Sequence, residues 1–299
     1  MDTSFEVETS GTRIISSRPV VENLKKDLLR RCASLKTAGI IPSMSVVLVG
    51  KNPASLAYIR NKKKLCEEVG ARFQLEQLEP DVTKAEFLRL LADLNHNPSI
   101  HGIIIQLPVS EQLRTLDLPH LVTPAKDIDG FHSANYRKLY EGSGHLGDLL
   151  PCTPKGIVSL LQHYDYTLPG KHVVIVGRSL IVGKPLGLLL TNLGATVTLA
   201  HSQTRDLRDL TRVADIVVTA IGRAKFFDFS FFNPGRRTVV IDVGMNELQG
   251  KLVGDVDAES VNNAVAALSP VPGGVGPMTV VSLIDNLITA AEASAQLRH

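Results

Sequence analysis

His172-Val-Val-Ile-Val-Gly177-Arg178-Ser179-Leu-Ile-Val-Gly183-Lys-Pro is the stretch that decides the fold of this chain. A β-branched run ends at Gly177, and an amphipathic helical pattern begins near Gly183. A strand, a tight turn and a helix N-terminus in this order can bind dinucleotide phosphates through backbone N–H groups. Ser179 replaces the second glycine of the usual G-x-G-x-x-G fingerprint, so the motif is imperfect. Arg178 adds a permanent cation beside the turn, which favours a phosphorylated cofactor.

The rest of the chain alternates between short β-branched runs and helical patterns, which predicts an α/β fold with parallel sheets. The predicted strands cover residues 45–49, 102–107, 172–176, 196–200, 215–220 and 238–243. The predicted helices cover residues 20–37, 55–69, 84–94, 154–163, 183–193, 206–213 and 278–296.

Two breaks predict a division into two domains. The glycine-rich stretch 142–148 precedes a restart at Pro151-Cys-Thr153-Pro154, where Thr153 can cap a helix. The second break is the proline- and glycine-rich stretch 269–277. We therefore expect an N-terminal α/β domain over 1–150 and a Rossmann-like domain over 151–276. Residues 277–299 complete the first domain, because the last helix needs a partner for its apolar face.

Composition excludes several functional classes. The 299 residues are 44% hydrophobic and 21% charged, with a net charge of +2, which gives no basis for nucleic-acid or membrane binding. No apolar run approaches the ~20 residues of a membrane span. Three widely spaced cysteines indicate a reducing compartment, and Asp2, Glu6 and Glu8 argue against a targeting peptide. We expect a cytoplasmic protein without a metal site.

Candidate catalytic residues lie on one helical face and at one strand end. Ser55, Tyr58 and Lys62 are spaced i, i+3 and i+7, so a helix presents all three together. Tyrosine offers a stacking surface, and a tuned lysine can transfer protons. A solvated surface helix is the alternative. Gln106 ends a predicted strand, where ligands of α/β sheets bind, and could hydrogen-bond Lys62. The alternative is that its side chain only hydrogen-bonds backbone groups of the following loop.

The residues after the strand 196–200 favour NADP over NAD. His201 and Ser202 stand where an acidic residue usually binds the ribose hydroxyls, and no Asp or Glu occupies this strand end. Together with Arg178, this absence indicates a 2′-phosphate. An ordinary polar loop that caps the next helix is the alternative.

Eight motifs, in order, resemble the bifunctional methylenetetrahydrofolate dehydrogenase/methenyltetrahydrofolate cyclohydrolase family. They lie at residues 49–62, 102–108, 126–131, 151–154, 177–185, 242–244, 254–257 and 270–279, and the resemblance runs from 36 to 291. Arg137 and Ala224-Lys225 depart from it, because glycine and a proline-containing turn are common there.

The resemblance implies NADP-dependent oxidation of 5,10-methylenetetrahydrofolate and then hydrolysis to 10-formyltetrahydrofolate, by a homodimer. It implies catalytic roles for Lys62, Gln106 and Tyr58. The implied folate-binding residues are Tyr58, Ser55, Asp129, Pro272 and Gly273. The implied cofactor-binding residues are Gly177, Arg178, Ser179, Gly183, His201, Ser202 and Thr279.

Other interpretations remain open from the residues alone. Asp127 and Asp129 could form only a turn, and we expect Asp127 to be structural. A monofunctional NAD-linked dehydrogenase of the same family and a non-catalytic folate-binding protein are the main alternatives. A shikimate-dehydrogenase-like enzyme would leave the spacing of Ser55, Tyr58 and Lys62 unexplained.

Overall fold

A computed structural model describes residues 11–296, and within them helices and strands alternate as predicted. The helices are α1 (Arg18–Thr37), α2 (Pro53–Glu68), α3 (Lys84–His96), α4 (Ser133–Tyr140), α5 (Cys152–His163), α6 (Gly183–Asn192), α7 (Leu207–Arg212) and α8 (Val275–Gln296). The strands are β1 (Arg13–Ile14), β2 (Ser43–Val49), β3 (Arg72–Leu78), β4 (Gly102–Gln106), β5 (His172–Val176), β6 (Thr196–Ala200), β7 (Ile216–Thr219), β8 (Val239–Asp242), β9 (Asn246–Leu248), β10 (Lys251–Val253) and β11 (Ala267–Leu268). The α/β fold class is confirmed.

The described chain forms two compact units. The first unit comprises residues 18–163 and 276–296, and the second unit comprises residues 11–17 and 164–275. No helix in the part of the chain that the structure describes is long and apolar enough to cross a membrane.

The first unit is built on a three-stranded parallel sheet in the order β3-β2-β4. Strand β2 is buried along its whole length, as expected for a central parallel strand covered on both faces. Phe87 and Leu91 of α3 pack on Val47 and Ile103 of the sheet. Because all three strands are parallel, their carboxyl ends share one edge, and Gln106 lies at that edge.

The second unit is built on a six-stranded parallel sheet in the order β1-β11-β8-β7-β5-β6. From β5 the chain passes through α6 to β6 on one side, and then crosses to β7 on the other side of β5. This reversal is a topological switch point, and ligands of open α/β sheets bind at the carboxyl ends of the strands that flank it. The turn at Gly177 follows β5 at this point.

Two segments belong to different units from those that we expected. Helix α5 belongs to the first unit, because Lys155 hydrogen-bonds Asn286 of α8 and Gly156 packs closely against Met278. Strand β1 belongs to the second unit, because it pairs with β11. Helix α5 also begins at Cys152, so Thr153 lies in its first turn and does not cap it.

Candidate functional site

Helix α2 presents the three predicted side chains of the first unit. Its N-cap is Asn52, whose side-chain oxygen accepts hydrogen bonds from the backbone N–H groups of Ala54 (2.9 Å) and Ser55 (3.1 Å). This cap and Pro53 in the first turn fix where the helix begins. The helix therefore sets the angular positions of Tyr58 and Lys62. Tyr58 is 42% exposed, which leaves much of its ring accessible to a ligand.

Lys62 and Gln106 meet in the first unit. Lys62 Nζ donates to Gln106 Oε1 at 3.0 Å. Gln106 Nε2 donates to the backbone oxygen of Leu107 at 3.0 Å, so the amide is oriented with its oxygen toward the lysine. Ser55 Oγ donates to the same Leu107 oxygen at 3.2 Å. The structure thus brings together Ser55, Lys62 and Gln106 across the α2–β4 contact.

Asp129 lies close enough to Lys62 for the two charges to interact. Burial raises the pKa of the Asp129 carboxyl above its usual value, and the negative charge of Asp127 raises it further. The positive charge of Lys62 opposes both effects. Such a carboxyl group accepts hydrogen bonds from a polar ring edge, and in its protonated form it can also donate one.

Asp127 is used within its own turn. Its carboxylate accepts the backbone N–H groups of Gly130 (3.1 Å) and His132 (2.7 Å) and the side-chain amide of Asn135 (2.9 Å). With these bonds made within the turn, Asp127 holds the backbone that carries Asp129.

In the second unit, the turn after β5 has the shape that a phosphate-binding turn requires. Gly177 has φ +134°, and a Cβ there would collide with the carbonyl oxygen of Ala220 at the end of β7. A Cβ on Gly183 would collide with the Gly177 carbonyl oxygen. Ser179 Oγ accepts the backbone N–H of Val182 at 3.2 Å, so this side chain stabilises the approach to α6. The backbone can therefore come close to a ligand at the N-terminus of α6.

The remaining predicted cofactor residues of this unit surround the same sheet edge. Arg178 is exposed, and its side chain has no hydrogen bond or ion pair among residues 11–296. The backbone N–H of His201 donates to Thr204 Oγ1 at 2.8 Å, which closes the loop after β6 and leaves Ser202 exposed.

The last three predicted residues are divided between the units. Pro272 and Gly273 lie in the second unit, where Ser17 donates its backbone N–H (2.8 Å) and its hydroxyl (2.7 Å) to the Gly273 oxygen. Thr279 lies on α8 in the first unit, with its hydroxyl 3.0 Å from that of Thr153. The structure therefore does not bring Thr279 together with Gly177 and Gly183 within one unit.

Two buried carboxylates, Asp242 and Asp255, were not among the predicted site residues. Asp255 accepts the backbone N–H groups of Ile221 (2.7 Å), Gly222 (3.1 Å) and Arg223 (2.8 Å), and so shapes the loop after β7. Asp242 accepts backbone N–H groups from Gly244, Asp255 and Val256, while burial raises its pKa to about 6. The available signal was an acidic residue within two positions of a glycine in each of the motifs 242–244 and 254–257.

Neither sequence departure contacts Lys62 or Gln106. Arg137 is exposed on α4 and pairs with Glu141 at 2.6 Å. Lys225 has φ +52° and pairs with Asp257 at 3.5 Å.

Family models match both parts of the chain. Residues 15–129 match the catalytic domain of tetrahydrofolate dehydrogenase/cyclohydrolase, and residues 151–295 match its NAD(P)-binding domain.

Individual relatives agree with the family models. The chain is 44% identical to the bifunctional protein FolD of Halalkalibacterium halodurans, over 93% of this chain and 98% of that protein. It is 45% identical to the FolD of Paracidovorax citrulli, over 95% and 99%. A crystal structure of the bifunctional enzyme FolD from Campylobacter jejuni matches with a TM-score of 0.88 and 39% identity, over 94% and 99%. The Trypanosoma brucei enzyme, solved with NADP cofactor and inhibitor, matches with a TM-score of 0.88 and 31% identity, over 97% and 100%.

Proposed function

This chain belongs to the tetrahydrofolate dehydrogenase/cyclohydrolase family, and from that premise we propose which of its residues carry each reaction. The protein is a bifunctional enzyme of one-carbon folate metabolism. It oxidises 5,10-methylenetetrahydrofolate to the methenyl form with NADP, and hydrolyses the methenyl form to 10-formyltetrahydrofolate. Lys62, supported by Gln106 and Tyr58, transfers the protons of the hydrolytic step.

The observation that carries this assignment is the 3.0 Å hydrogen bond from Lys62 Nζ to Gln106 Oε1. The Gln106 amide is held by Leu107 so that it offers Lys62 a neutral oxygen. This hydrogen bond holds the Lys62 amino group at one position, where it can exchange protons with a bound reactant.

Hydrolysis requires three proton movements, and one lysine can supply the first two. Water adds through its oxygen to the methenyl carbon, and the Lys62 amine takes a proton from that water. The bond from this carbon to N5 then breaks as Lys62 returns the proton to N5, and the remaining hydroxyl proton is released to solvent as the formyl C=O forms. A positioned general acid–base group contributes about 10²–10⁴-fold to such a step.

The folate is oriented by the other side chains of the α2 face and by Asp129. The exposed ring of Tyr58 offers a stacking surface, and Ser55 Oγ donates to the Leu107 carbonyl oxygen. The Asp129 carboxyl recognises the amino and ring N–H donors of the pterin. We also propose that Pro272 and Gly273 contact the folate.

The turn between β5 and α6 fits NADP, the cofactor of this enzyme. The positions of Gly177 and Gly183 have no space for side chains, which lets backbone N–H groups approach a pyrophosphate. NADP, when bound, supplies the hydride acceptor for the dehydrogenase reaction. We propose that Arg178 binds the 2′-phosphate with His201 and Ser202, and that Thr279 contributes a hydroxyl to the cofactor.

Replacing Lys62 by methionine tests the central assignment. We expect Lys62→Met to lose methenyl hydrolysis by about 10²-fold or more, because the proton carrier is gone. The assay follows NADPH formation from methylenetetrahydrofolate and then the decay of methenyl absorbance. Lys63→Met is the matched control, since exposed Lys63 on the same helix pairs, among residues 11–296, only with Glu67 (3.8 Å). Full hydrolytic turnover in Lys62→Met would contradict the assignment.

We also propose that the enzyme is a cytoplasmic homodimer. All three cysteines are buried and unpaired, which supports a reducing compartment. The edge strand β6 and the β9–β10 hairpin expose Leu199, Leu248 and Leu252, which supports association through the second unit. Sedimentation at micromolar concentration distinguishes a dimer from a monomer.

A further inference from the structure

The turn that carries Asp129 is held by a buried amide from α8. Asn286 is 0% exposed. Its Nδ2 donates to the backbone oxygens of Ile128 and Leu150, both at 2.8 Å. Ile128 immediately precedes Asp129, so this amide fixes the peptide unit from which the Asp129 side chain emerges.

A buried lysine sets the orientation of that amide. Lys155 is 3% exposed, and its Nζ donates to Asn286 Oδ1 at 2.8 Å. Because the amide oxygen is occupied by this bond, the NH₂ group must face the two carbonyls. The Lys155 charge is paired with Asp285, which Arg31 also contacts. A buried ammonium without such a partner would be costly.

Close packing also restricts the turn that carries Asp129 to one position. A Cβ on Gly102 of β4 would lie 2.7 Å from two Ile128 carbon atoms, and Gly130 has φ +78° and abuts the Leu150 backbone. The turn is therefore pressed against β4 on one side and held by Asn286 on the other. Movement of the amide would be transmitted to Asp129.

We propose that Asn286 and Lys155 are positioning residues for Asp129 and thereby set the affinity for folate. The proposal rests on the folate-binding role proposed above for Asp129. Neither residue touches the substrate; they act through the backbone of residues 128–129. A misplacement of about 1 Å in a binding group can cost up to ~10²-fold in rate.

The first test separates positioning from general stabilisation. Asn286→Leu keeps the branched shape of the side chain and removes the amide donor from both carbonyls. We expect kcat/KM for the folate substrate to fall by about 10–100-fold in both reactions, with KM for NADP unchanged. Thr83→Ala is the matched control, because it removes the side-chain N-cap of α3 in the same unit and no contact to Asn286, Lys155 or Asp285. It should lower the melting temperature without changing folate KM. Equal folate effects in both variants would overturn the proposal.

A double-mutant cycle with Asp129→Ala tests whether Asn286 affects the folate reactions through Asp129. If Asn286 acts through Asp129, the double variant has the same folate kcat/KM as Asp129→Ala alone. If the reductions in kcat/KM caused by Asn286→Leu and Asp129→Ala multiply in the double variant, the positioning role is overturned and the role of Asp129 stays intact. An Asp129→Ala variant with normal folate KM would instead refute the proposed binding role, and the positioning role with it. If Asn286→Leu does not fold, Lys155→Met takes its place in the double-mutant cycle.

Discussion

We propose that one exposed side chain, Arg178, favours NADP over NAD. Its guanidinium has no partner among the described residues and lies beside the turn that follows β5. We expect Arg178→Ala to raise KM for NADP by roughly 10–100-fold, because a charge-assisted hydrogen bond contributes about 1.5–3 kcal/mol. KM for NAD, which lacks the 2′-phosphate, should change little. Initial rates with both cofactors measure the difference.

Arg212→Ala serves as the control for that measurement, since Arg212 is an exposed arginine at the end of α7. It should leave both KM values unchanged. Equal losses with NADP and NAD in Arg178→Ala would mean that Arg178 supports the turn and does not bind the phosphate.

Asp242 predicts a pH dependence of stability. Burial raises its pKa from 3.8 in the unfolded chain to about 6 in the folded protein, so the folded state holds the extra proton between these values. Its contribution is therefore fully present below pH 3.8 and is lost as pH rises through about 6. A shift of about 2 pKa units corresponds to about 3 kcal/mol.

Urea unfolding of the wild type and Asp242→Asn at pH 4–7 measures this contribution to stability. The unfolding free energy of the wild type relative to the variant should fall as pH rises, because the variant has no proton to lose at this position. Asp209→Asn, at an exposed position on α7, controls for the general effect of pH. A relative stability that rises with pH would mean that the four hydrogen bonds to the carboxylate outweigh its burial.

At the residue scale, the local sequence defines the positions of Lys62 and Gln106 but not the contacts of Asn286. Lys62 and Gln106 were predictable because helical spacing and a strand end define their positions. Asn286 was not, since its partners Ile128 and Leu150 are more than 130 residues away in the chain. No local pattern encodes such a contact.

The element scale is tested by two glycines of α6. A Cβ on Gly183 would collide with the Gly177 carbonyl oxygen, whereas one on Gly187 would lie 3.8 Å from its nearest neighbour, a Val197 methyl group. We expect Gly183→Ala to lose about 1–3 kcal/mol of stability through overpacking and to weaken NADP binding. Gly187→Ala should gain roughly 0.5–1 kcal/mol, because alanine is the better helix former.

Calorimetric titration with NADP and thermal unfolding of both variants provide the measurement. The two changes are chemically identical and lie on one helix, so their difference reports only the local space. If both variants bound NADP as the wild type does, the close approach of Gly183 to Gly177 would have no role in cofactor binding.

Element prediction succeeded where the periodicity was strong and failed where contacts decide the structure. The six predicted strands and seven predicted helices all occur, with ends shifted by at most three residues. Strand β3 was missed because its sequence, RFQLEQL, contains no β-branched residue and its apolar–polar alternation is broken at Gln77. Helix α4 was missed because it has only 8 residues and is capped by the imidazole of His132.

At the scale of the whole molecule, each unit is assembled from segments distant in the chain. Strand β1 completes the sheet of the second unit through Arg13 and Ile14, which pair with Ala267 and Leu268. A two-residue strand has no sequence signature, so only its long-range pairing defines it. Helix α8, in contrast, was predicted to return to the first domain, because a helix with a long apolar face requires a partner.

This division predicts that the two ligands protect the enzyme through different residues. NADP at 100 times its Kd should stabilise the wild type by about 2.7 kcal/mol. Asp129→Ala, in the first unit, should keep this gain and lose the stabilisation by an unreactive folate analogue. Arg178→Ala, in the second unit, should lose about half or more of the NADP gain and keep the stabilisation by the folate analogue. Thermal unfolding of the two variants with each ligand provides the measurement. Loss of both stabilisations in either variant would mean that the substitution disturbs the whole fold and that its residue is not specific to one ligand.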